Sequence, residues 1–219
     1  LDASRRHKIK HIYYASSSSV YGNNKKIPFN EKDKTDKPIS LYGVTKKTNE
    51  LMSYCYSKMY SLSITGLRFF TVYGPWGRPD MAPMIFLKAL RENKPVKIFN
   101  NGDLERDFTY IDDISNSLFK LFLKDEIHKI KTYRIFNIGN SKPILLSKFI
   151  YEIERITQKK LNKKFEPMQK GDVYKTFSDS TKLESYIGQI DHISLNEGLL
   201  KLVEWYDIYS NQINKNGQY

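Results

Sequence analysis

The sequence contains a single cysteine among its 219 residues. Cys55 therefore has no partner for a disulfide bond within the chain, which favours the cytoplasm over secretion. Because the pattern around it is that of an apolar helix, we expect this thiol to lie in the core. No apolar run approaches the length that spans a membrane, and no signal peptide is apparent, so we expect no membrane partner.

Metal-binding and nucleophile signatures are absent as well. The histidines are dispersed and lack the spacing of metal ligands, so we expect no metal site. No Ser/His/Asp arrangement can be argued from the sequence, and no Walker phosphate loop is present. These absences argue against a metalloenzyme, a serine hydrolase and a P-loop nucleotide hydrolase. The four histidines are His7, His11, His128 and His192.

Acidic residues are scarce relative to basic ones. Lysine and arginine total 36 against 24 aspartates and glutamates, which gives a formal net charge of +12. Such an excess can indicate a nucleic-acid partner or an anionic surface. The lysines are scattered, and neither an arginine-rich cluster nor an RNA-binding signature occurs, so we favour solvated faces and expect no nucleic-acid partner. The alternative predicts DNA or RNA affinity that survives at moderate salt.

Apolar runs bounded by polar segments predict alternating strands and helices. This alternation favours parallel pairing, so we expect an α/β fold of the doubly wound type. Asp112 and Asp113 fit the role of N-terminal caps for the next helix. Lysine-rich residues 159–164 predict a solvated loop, and the polar chain end a disordered tail. The predicted strands are 12–14, 64–70, 96–100, 106–111 and 133–138, and the predicted helices are 41–60, 82–93, 114–123, 146–157, 180–186 and 196–209.

One segment carries the residue types of a proton-transfer site for alcohol–ketone chemistry. The apolar run 12–14 leads into four serines, which predicts a buried strand that ends in a loop. Tyr42 and Lys46 are four residues apart at the start of a helical pattern, so their side chains share one face, one turn apart. A tyrosine has a reference pKa of roughly 10, so a base that works near pH 7 needs about 3 units, or roughly 4 kcal/mol, of phenolate stabilisation. A neighbouring ammonium group is one means of providing it.

The tyrosine–lysine spacing alone is not specific. With 16 tyrosines and so much lysine, Y-x-x-x-K should occur roughly twice by composition alone. Only the pair Tyr42/Lys46 is distinguished from the others by its context. A serine-tipped strand and a proline-bearing loop precede it, and a helix begins there. The three pairs are Tyr21/Lys25, Tyr42/Lys46 and Tyr54/Lys58.

Three motifs together identify a resemblance to a known family. They are SSSSVYG at 16–22, YGVTK at 42–46 and LRFFTVYGPWGRPDMAP at 67–83. The combination resembles the extended short-chain dehydrogenase/reductase family and its nucleotide-sugar epimerases, and the third motif is similar to the UDP-glucuronate 4-epimerase branch. The resemblance implies NAD as cofactor, a UDP-sugar substrate and a homodimer that uses the Tyr–Lys helix.

The same resemblance implies the fold and its division. We expect the second half of a Rossmann-type doubly wound parallel sheet plus a small α/β substrate-binding domain. Residues 1–75 and 108–140 would belong to the dinucleotide-binding domain, and residues 76–107 and 141–219 to the nucleotide-sugar-binding domain. The glycine-rich motif G-x-x-G-x-x-G that holds the dinucleotide pyrophosphate is not found in the sequence. We therefore expect that the chain lacks the cofactor-binding half and is inactive without it.

The resemblance also assigns residues around the reacting carbon. Ser17 is the catalytic hydroxyl beside Tyr42 and Lys46, and both of the latter also contact the cofactor. The backbone of Phe70 lies near the nicotinamide, and the side chain of Thr71 near the sugar. Dehydratases and decarboxylases of the superfamily carry an acidic residue just before V-Y-G, where this chain has Ser18 and Ser19. Hydroxyls without a carboxylate favour simple oxidation and re-reduction at one carbon.

Further substrate contacts are implied in the second half of the chain. Arg78 would clamp a carboxylate or diphosphate through its planar fork, unless it is an exposed loop residue paired with Asp80. Phe99 would lie beside the uracil ring and Arg106 would neutralise the diphosphate. The alternatives are a core aromatic residue on an edge strand and an arginine paired with the neighbouring aspartate. Asp172 would accept hydrogen bonds from ribose hydroxyls. UDP-galactose 4-epimerase and a non-catalytic UDP-sugar-binding module remain alternative functions.

Overall fold

The computed structural model describes residues 1–128 and 132–215. Its helices are α1 (Asp2–Arg6), α2 (Leu41–Tyr60), α3 (Ala82–Glu92), α4 (Ile111–His128), α5 (Leu146–Thr157), α6 (Thr181–Ile187) and α7 (Leu195–Lys215). Its strands are β1 (His11–Ser17), β2 (Ser63–Phe69), β3 (Thr71–Tyr73), β4 (Val96–Phe99), β5 (Glu105–Arg106), β6 (Phe108–Tyr110), β7 (Tyr133–Ile138), β8 (Ile144–Leu145) and β9 (Lys163–Glu166).

The main sheet is parallel and has the strand order β1-β2-β7. Ile12 pairs with Ile64, which in turn pairs with Tyr133. Helix α2 connects the first two of these strands, and β2 is buried along nearly its whole length. Buried apolar strands are typical of parallel sheets covered on both faces. The expected α/β fold of the doubly wound type is confirmed.

The other strands of the described residues form three two-stranded sheets. Strands β3 and β6 pair in parallel, as do β4 and β9, whereas β5 and β8 are antiparallel. A large apolar core lies among α3, α5, α7 and strands β4 and β6. At its centre the rings of Phe108 and Phe149 stack with centroids 4.1 Å apart. The main sheet packs against α4 and α6 through a separate apolar cluster, which includes Leu67, Leu121 and Leu183.

A buried ion pair ties α2 to the main sheet. Arg68 donates to both carboxylate oxygens of Glu50 at 2.8 and 2.9 Å, and each residue is only 2% exposed. The hydroxyl of Ser16 donates to the same carboxylate at 2.7 Å. Burial alone would raise the pKa of Glu50. The hydrogen bonds and charge of Arg68, the hydrogen bond from Ser16 and the charge of Lys47 outweigh this effect, so the pKa lies below its usual value. Two turns of α2 separate this pair from Tyr42.

The prediction that Asp112 and Asp113 cap a helix is wrong. Helix α4 begins at Ile111, so both carboxylates lie inside its first turn, where the helix dipole favours negative charge. The Asp113 carboxylate is buried and accepts a hydrogen bond of 3.2 Å from the amide of Ile193. His192 Nδ1 lies 3.4 Å from the same carboxylate. Asp113 therefore joins α4 to the segment that leads into α7.

The lysine-rich segment 159–164 is not entirely a loop. Its last two lysines begin β9, which pairs with β4 so that Lys163 lies opposite Val96. The Lys163 ammonium group also forms a 2.8 Å ion pair with Glu154, whose side chain is buried. Backbone pairing with a strand more than sixty residues away determines this structure, so the local composition did not indicate it.

The prediction of a buried Cys55 thiol is wrong, because this residue is exposed. Its sulfur lies 3.4 Å from the sulfur of Met59 on the outer face of α2. The inward face of this helix is built from small or polar residues instead, and the apolar side chains point outward. The buried residues of α2 are Gly43, Glu50, Ser53 and Ser57.

Helix α7 extends beyond the predicted end at residue 209 and reaches Lys215. The rest of the predicted disordered tail, residues 216–219, lies outside the described residues. Within residues 1–128 and 132–215, no helix combines the length and apolar character needed to cross a membrane.

Candidate active site

The candidate active site lies where the strands of the main sheet end. Ser17 is the last residue of β1, and Phe70 and Thr71 follow β2. These residues line a cleft of about 670 Å³ together with Tyr42. Ligand sites of open α/β sheets lie at the carboxyl ends of the strands, because loops there converge on one crevice.

The first turn of α2 positions the tyrosine and the lysine. The Ser40 hydroxyl caps this helix by accepting a 3.0 Å hydrogen bond from the amide of Gly43. One turn separates Tyr42 from Lys46, and the lysine Nζ lies 5.6 Å from the centroid of the tyrosine ring. The same ammonium group donates a 2.9 Å hydrogen bond to the carbonyl of Ala15, which also lines the cleft. Lys46 thus bridges the helix and the end of β1.

The serine run contributes hydroxyl groups to the same cleft. Ser17 Oγ accepts a 3.1 Å hydrogen bond from the amide of Ser19 and lies 3.1 Å from its hydroxyl oxygen. Ser18 and Ser19 begin a short 3-10 helix that runs to Tyr21. Ser17, Ser18 and Ser19 line the cleft that contains Tyr42. Of the predicted catalytic set, Ser17 and Tyr42 therefore line one cavity, and Lys46 is hydrogen-bonded to Ala15 on its wall.

The other two tyrosine–lysine pairs have different surroundings. Tyr21 is buried, donates to Asn137 at 2.7 Å and accepts from Arg68 at 2.9 Å. Its burial raises the pKa of Tyr21 to about 12, so it is a structural phenol. Tyr54 has the same 5.6 Å contact with its lysine, Lys58, as the first pair, but its ring packs against Tyr133 rather than lining the cleft. Local geometry alone does not distinguish Tyr42 from Tyr54.

Three neighbouring cavities, together called the groove, share lining residues and extend away from the strand ends. Beside the 670 Å³ cleft lie a cavity of about 140 Å³ and one of about 540 Å³. Thr71 lines all three, and Ser40 lines the latter two. The groove therefore offers an elongated ligand a path from Tyr42 to the small sheet of β4 and β9.

A partly buried cation lies at the centre of this groove. Arg106 donates a 2.7 Å hydrogen bond to the carboxylate of Asp172 and others to the carbonyls of Glu105 and Tyr174. Burial lowers the pKa of Arg106, and the charge of Asp172 opposes that effect. The alternative that Arg106 pairs with the neighbouring Asp107 is wrong, since its partner is Asp172.

Phe99 lies at the far end of the groove. It ends β4, is half-buried, and lines the 540 Å³ cavity together with Arg106 and Asp172. An aromatic ring and an arginine that line the same cavity suit a nucleotide base and its phosphates. Two lysines on the same cavity wall, Lys97 and Lys170, add positive charge.

Arg78 lies at the opposite end, in the loop between β3 and α3. It lines the cleft with Tyr42 and forms two hydrogen bonds with Asp80, at 2.5 and 3.0 Å. Both side chains are exposed, and this ion pair raises the pKa of Arg78 and lowers the pKa of Asp80. The sequence left open whether Arg78 pairs with Asp80 or faces the substrate. In the structure Arg78 pairs with Asp80 and also lines the cleft.

The described residues fit the nicotinamide end of a dinucleotide. The cleft beside Tyr42 is open, polar at the serine run and apolar at Phe69 and Phe70. Phe70 itself packs with Phe29 in a small buried cluster, and its amide donates to Ile138 at 3.1 Å. An apolar wall beside hydroxyl groups suits a flat ring that carries polar substituents.

Two residues of the site were missed from the sequence. Ser40 was readable as the cap of α2, because it directly precedes the helical pattern. Asp107 had no such signal. Its fully buried carboxylate accepts hydrogen bonds from the amides of Asn140, Ser141 and Ser178, so it holds together the loops behind Arg106. The donors lie 33 to 71 residues away in the sequence, so no local pattern indicates these contacts.

The parallel sheet, the cleft at its carboxyl ends and the adjoining groove are typical of nucleotide-binding α/β folds. The chain belongs to the NAD dependent epimerase/dehydratase family, whose model matches residues 1–139.

Among curated proteins, the chain is 42% identical over 219 residues to protein CapI of Staphylococcus aureus, with 94% of this chain and 66% of that protein covered. It is 43% identical over 209 residues to UDP-glucuronate 4-epimerase 5 of Arabidopsis thaliana, covering 89% of this chain and 48% of that one. The fold also matches a solved structure of UDP-glucuronic acid 4-epimerase from Bacillus cereus with UDP-glucuronic acid and NAD. The TM-score is 0.88 at 32% identity, and the match covers 95% of this chain and 65% of that one. The chain thus spans less than two thirds of each of these proteins.

Proposed function

We propose that the protein carrying this chain epimerises C4 of a UDP-sugar with NAD, converting UDP-glucuronate to UDP-galacturonate. The observation that carries this proposal is the shared cleft of Ser17, Tyr42 and the Lys46-bound carbonyl of Ala15. The similarity to UDP-glucuronate 4-epimerases from a plant and from Bacillus cereus supports the substrate class.

In the proposed reaction, the chain's own residues move one proton. The Tyr42 phenolate takes the proton of the C4 hydroxyl, and the ammonium group of Lys46 stabilises that phenolate. Ser17 donates a hydrogen bond that orients the reacting oxygen. Bound NAD supplies the acceptor, and later the donor, of the C4 hydride. Because the 4-keto sugar turns its opposite face before it is reduced again, C4 is inverted, and Tyr42 returns the proton to the C4 oxygen.

A glucuronate substrate poses a problem that the cleft must solve. Its 4-keto form is a β-keto acid that can lose CO2. We propose that the hydroxyls of Ser18, Ser19 and Thr71, together with Arg78, hold the carboxylate and oppose that loss. None of the three hydroxyl residues supplies the acidic group that elimination of water would use.

We propose that the nucleotide part of the substrate binds at the other end of the groove. Arg106 neutralises the diphosphate, Phe99 lies beside the uracil ring and Asp172 accepts hydrogen bonds from the ribose. Arg106 and Asp172 form an ion pair on the wall of one cavity, so a cation and a carboxylate acceptor lie side by side there.

The substrate is tested in a completed protein, in which a glycine-rich dinucleotide-binding segment from one of the relatives precedes Leu1. We expect faster turnover of UDP-glucuronate than of UDP-glucose, because only the former has a carboxylate for Arg78 and the serine hydroxyls. Proton NMR of the products measures both rates. A preference for UDP-glucose would favour the alternative, a UDP-galactose 4-epimerase.

A second alternative is a non-catalytic UDP-sugar-binding module. Titration calorimetry of the 219-residue chain with UDP and with NAD addresses it, because UDP binding without NAD binding favours the module for this chain. We expect Arg106→Ala to weaken UDP binding by about tenfold or more, since charge-assisted hydrogen bonds are worth about 1.5–3 kcal/mol. Arg155→Ala is the matched control, because Arg155 is exposed and pairs with Glu152 on the outer face of α5. Equal losses in both variants would remove Arg106 from the UDP site.

The proposal extends to domains, assembly and location. We propose that residues 1–75 and 108–140 form the dinucleotide-binding domain and that residues 76–107 and 141–219 bind the nucleotide sugar. We also propose that two copies associate through α2, whose outer face exposes Leu51, Met52 and Met59. The cytoplasm is the proposed location, where an exposed thiol such as that of Cys55 stays reduced.

A further inference from the structure

An exposed tryptophan connects the cleft loop to the last helix. Trp76 lies in the loop between β3 and α3 and is 77% exposed. Its ring nevertheless contacts Trp205 and Tyr209 of α7, with centroids 5.4 and 5.5 Å away. Those two rings stack on each other at 5.0 Å. The three rings form an aromatic cluster, Trp76–Trp205–Tyr209, on the surface beside the cleft.

The backbone at Trp76 is in an unusual conformation. Its φ angle is +60°, in the left-handed region that a bulky residue rarely adopts. The neighbouring turn is closed by a 3.3 Å hydrogen bond from the amide of Gly77 to the carbonyl of Gly74. Such a conformation persists where surrounding contacts hold it, and the ring contacts with α7 are contacts of that kind.

The hydrogen bonds that the structure gives the functional side chain of this loop, Arg78, stay within the loop. Arg78 follows Trp76 by two residues and lines the cleft that contains Tyr42. Its ion-pair partner, Asp80, belongs to the same loop, so this pair does not fix the loop relative to the sheet. The aromatic cluster does so, because its other two members belong to α7.

We propose that Trp76 is a positioning residue that sets the preference for a sugar carboxylate. Its packing on Trp205 and Tyr209 holds the loop so that Arg78 faces the sugar end of the cleft. Without that packing, the loop samples other conformations and Arg78 spends less time where a carboxylate binds. The inference rests on the proposed function, because it deepens the role given there to Arg78.

The test compares three ligands on the 219-residue chain by titration calorimetry: UDP-glucuronate, UDP-glucose and UDP. We expect Trp76→Leu to weaken UDP-glucuronate binding about tenfold, the scale of one charge-assisted hydrogen bond. Binding of UDP-glucose and of UDP should change less than about twofold, because Arg106 and Phe99 lie at the other end of the groove. A general loss of structure would weaken all three ligands alike.

Three further variants make the test specific. Trp205→Leu removes the same contact from the helix side and should reproduce the loss, whereas Trp76→Phe keeps an aromatic ring and should restore most of it. Phe119→Leu is the matched control, because Phe119 of α4 is 62% exposed and lines none of the three cavities. If Trp76→Leu fails to fold by circular dichroism, Trp205→Leu decides in its place.

Hydrogen exchange separates this inference from the proposed function. Amides of residues 74–81 should exchange faster in Trp76→Leu and in Trp205→Leu than in the unmodified chain. If the unmodified chain binds UDP-glucuronate no better than UDP-glucose, the proposed substrate is wrong, and exchange alone then judges the role of the cluster. Unchanged exchange in both variants, or a retained carboxylate preference in Trp76→Leu, overturns the inference.

Discussion

Replacing Tyr42 with phenylalanine should reduce epimerisation in the completed protein by about 10²- to 10⁴-fold, the range that a positioned acid or base contributes. The substitution removes one oxygen from a half-exposed ring and leaves Lys46 bonded to the carbonyl of Ala15. UDP affinity should stay within about twofold, because Arg106 and Phe99 lie elsewhere in the groove. The measurement is kcat with UDP-glucuronate beside the calorimetric Kd for UDP.

The chain offers an unusually close control for this experiment. Tyr54 lies on the same helix, is 50% exposed like Tyr42, and has the same 5.6 Å contact with a lysine. It does not line the described cleft. Tyr54→Phe should therefore leave kcat unchanged. Equal rates in the two variants would remove Tyr42 from the mechanism, whatever their absolute values.

Replacing Glu50 with alanine should lower the free energy of unfolding by about 3–5 kcal/mol, because it strands the buried charge of Arg68. That guanidinium would keep its contacts with Tyr21, a hydrogen bond to the hydroxyl and a position over the ring, neither of which carries a compensating charge. Urea denaturation followed by circular dichroism measures the loss. Glu197→Ala is the control, because Glu197 forms an exposed pair with Lys201 one turn away and its removal should change stability far less.

The same pair predicts a pH dependence with a definite sign. The pKa of Glu50 is lower in the folded protein than its usual value of 4.5. Its carboxylate therefore stabilises the fold above that value, and this contribution is lost as the pH falls through the folded-state pKa. Glu50→Gln should flatten the fall in stability as the pH drops from about 5 through the folded-state pKa. An unchanged slope in Glu50→Gln would mean that other carboxylates dominate acid unfolding.

The parts of the fold that were predictable are those with strong local patterns. Helix α2 and helix α5 begin and end where the periodicity of the sequence places them, and so does strand β7. Each of these elements has its boundary signals within a few residues. The motifs at residues 16–22, 42–46 and 67–83 likewise lead to the family that the comparison confirms.

The parts that were not predictable depend on distant partners. Strand β9 exists because β4 pairs with it, and Asp113 is buried because the segment before α7 donates to it. Cys55 lies outside because small residues and Glu50 occupy the inward face of α2. The repeated tyrosine–lysine spacing is the clearest case, since only the cleft at the strand ends separates Tyr42 from Tyr54. In each case, the deciding contact comes from residues far away in the sequence.

The central claim, that Tyr42 and its neighbours support reversible oxidation at C4, is tested most directly by the fate of the C4 hydrogen. The completed protein is incubated with UDP-glucuronate in deuterium oxide, and the product is examined by proton NMR. We expect the product, UDP-galacturonate, to keep protium at C4, because the hydride leaves C4 and returns to it without exchange with solvent. Deuterium at C4, or conversion that persists at full rate in Tyr42→Phe, would contradict it.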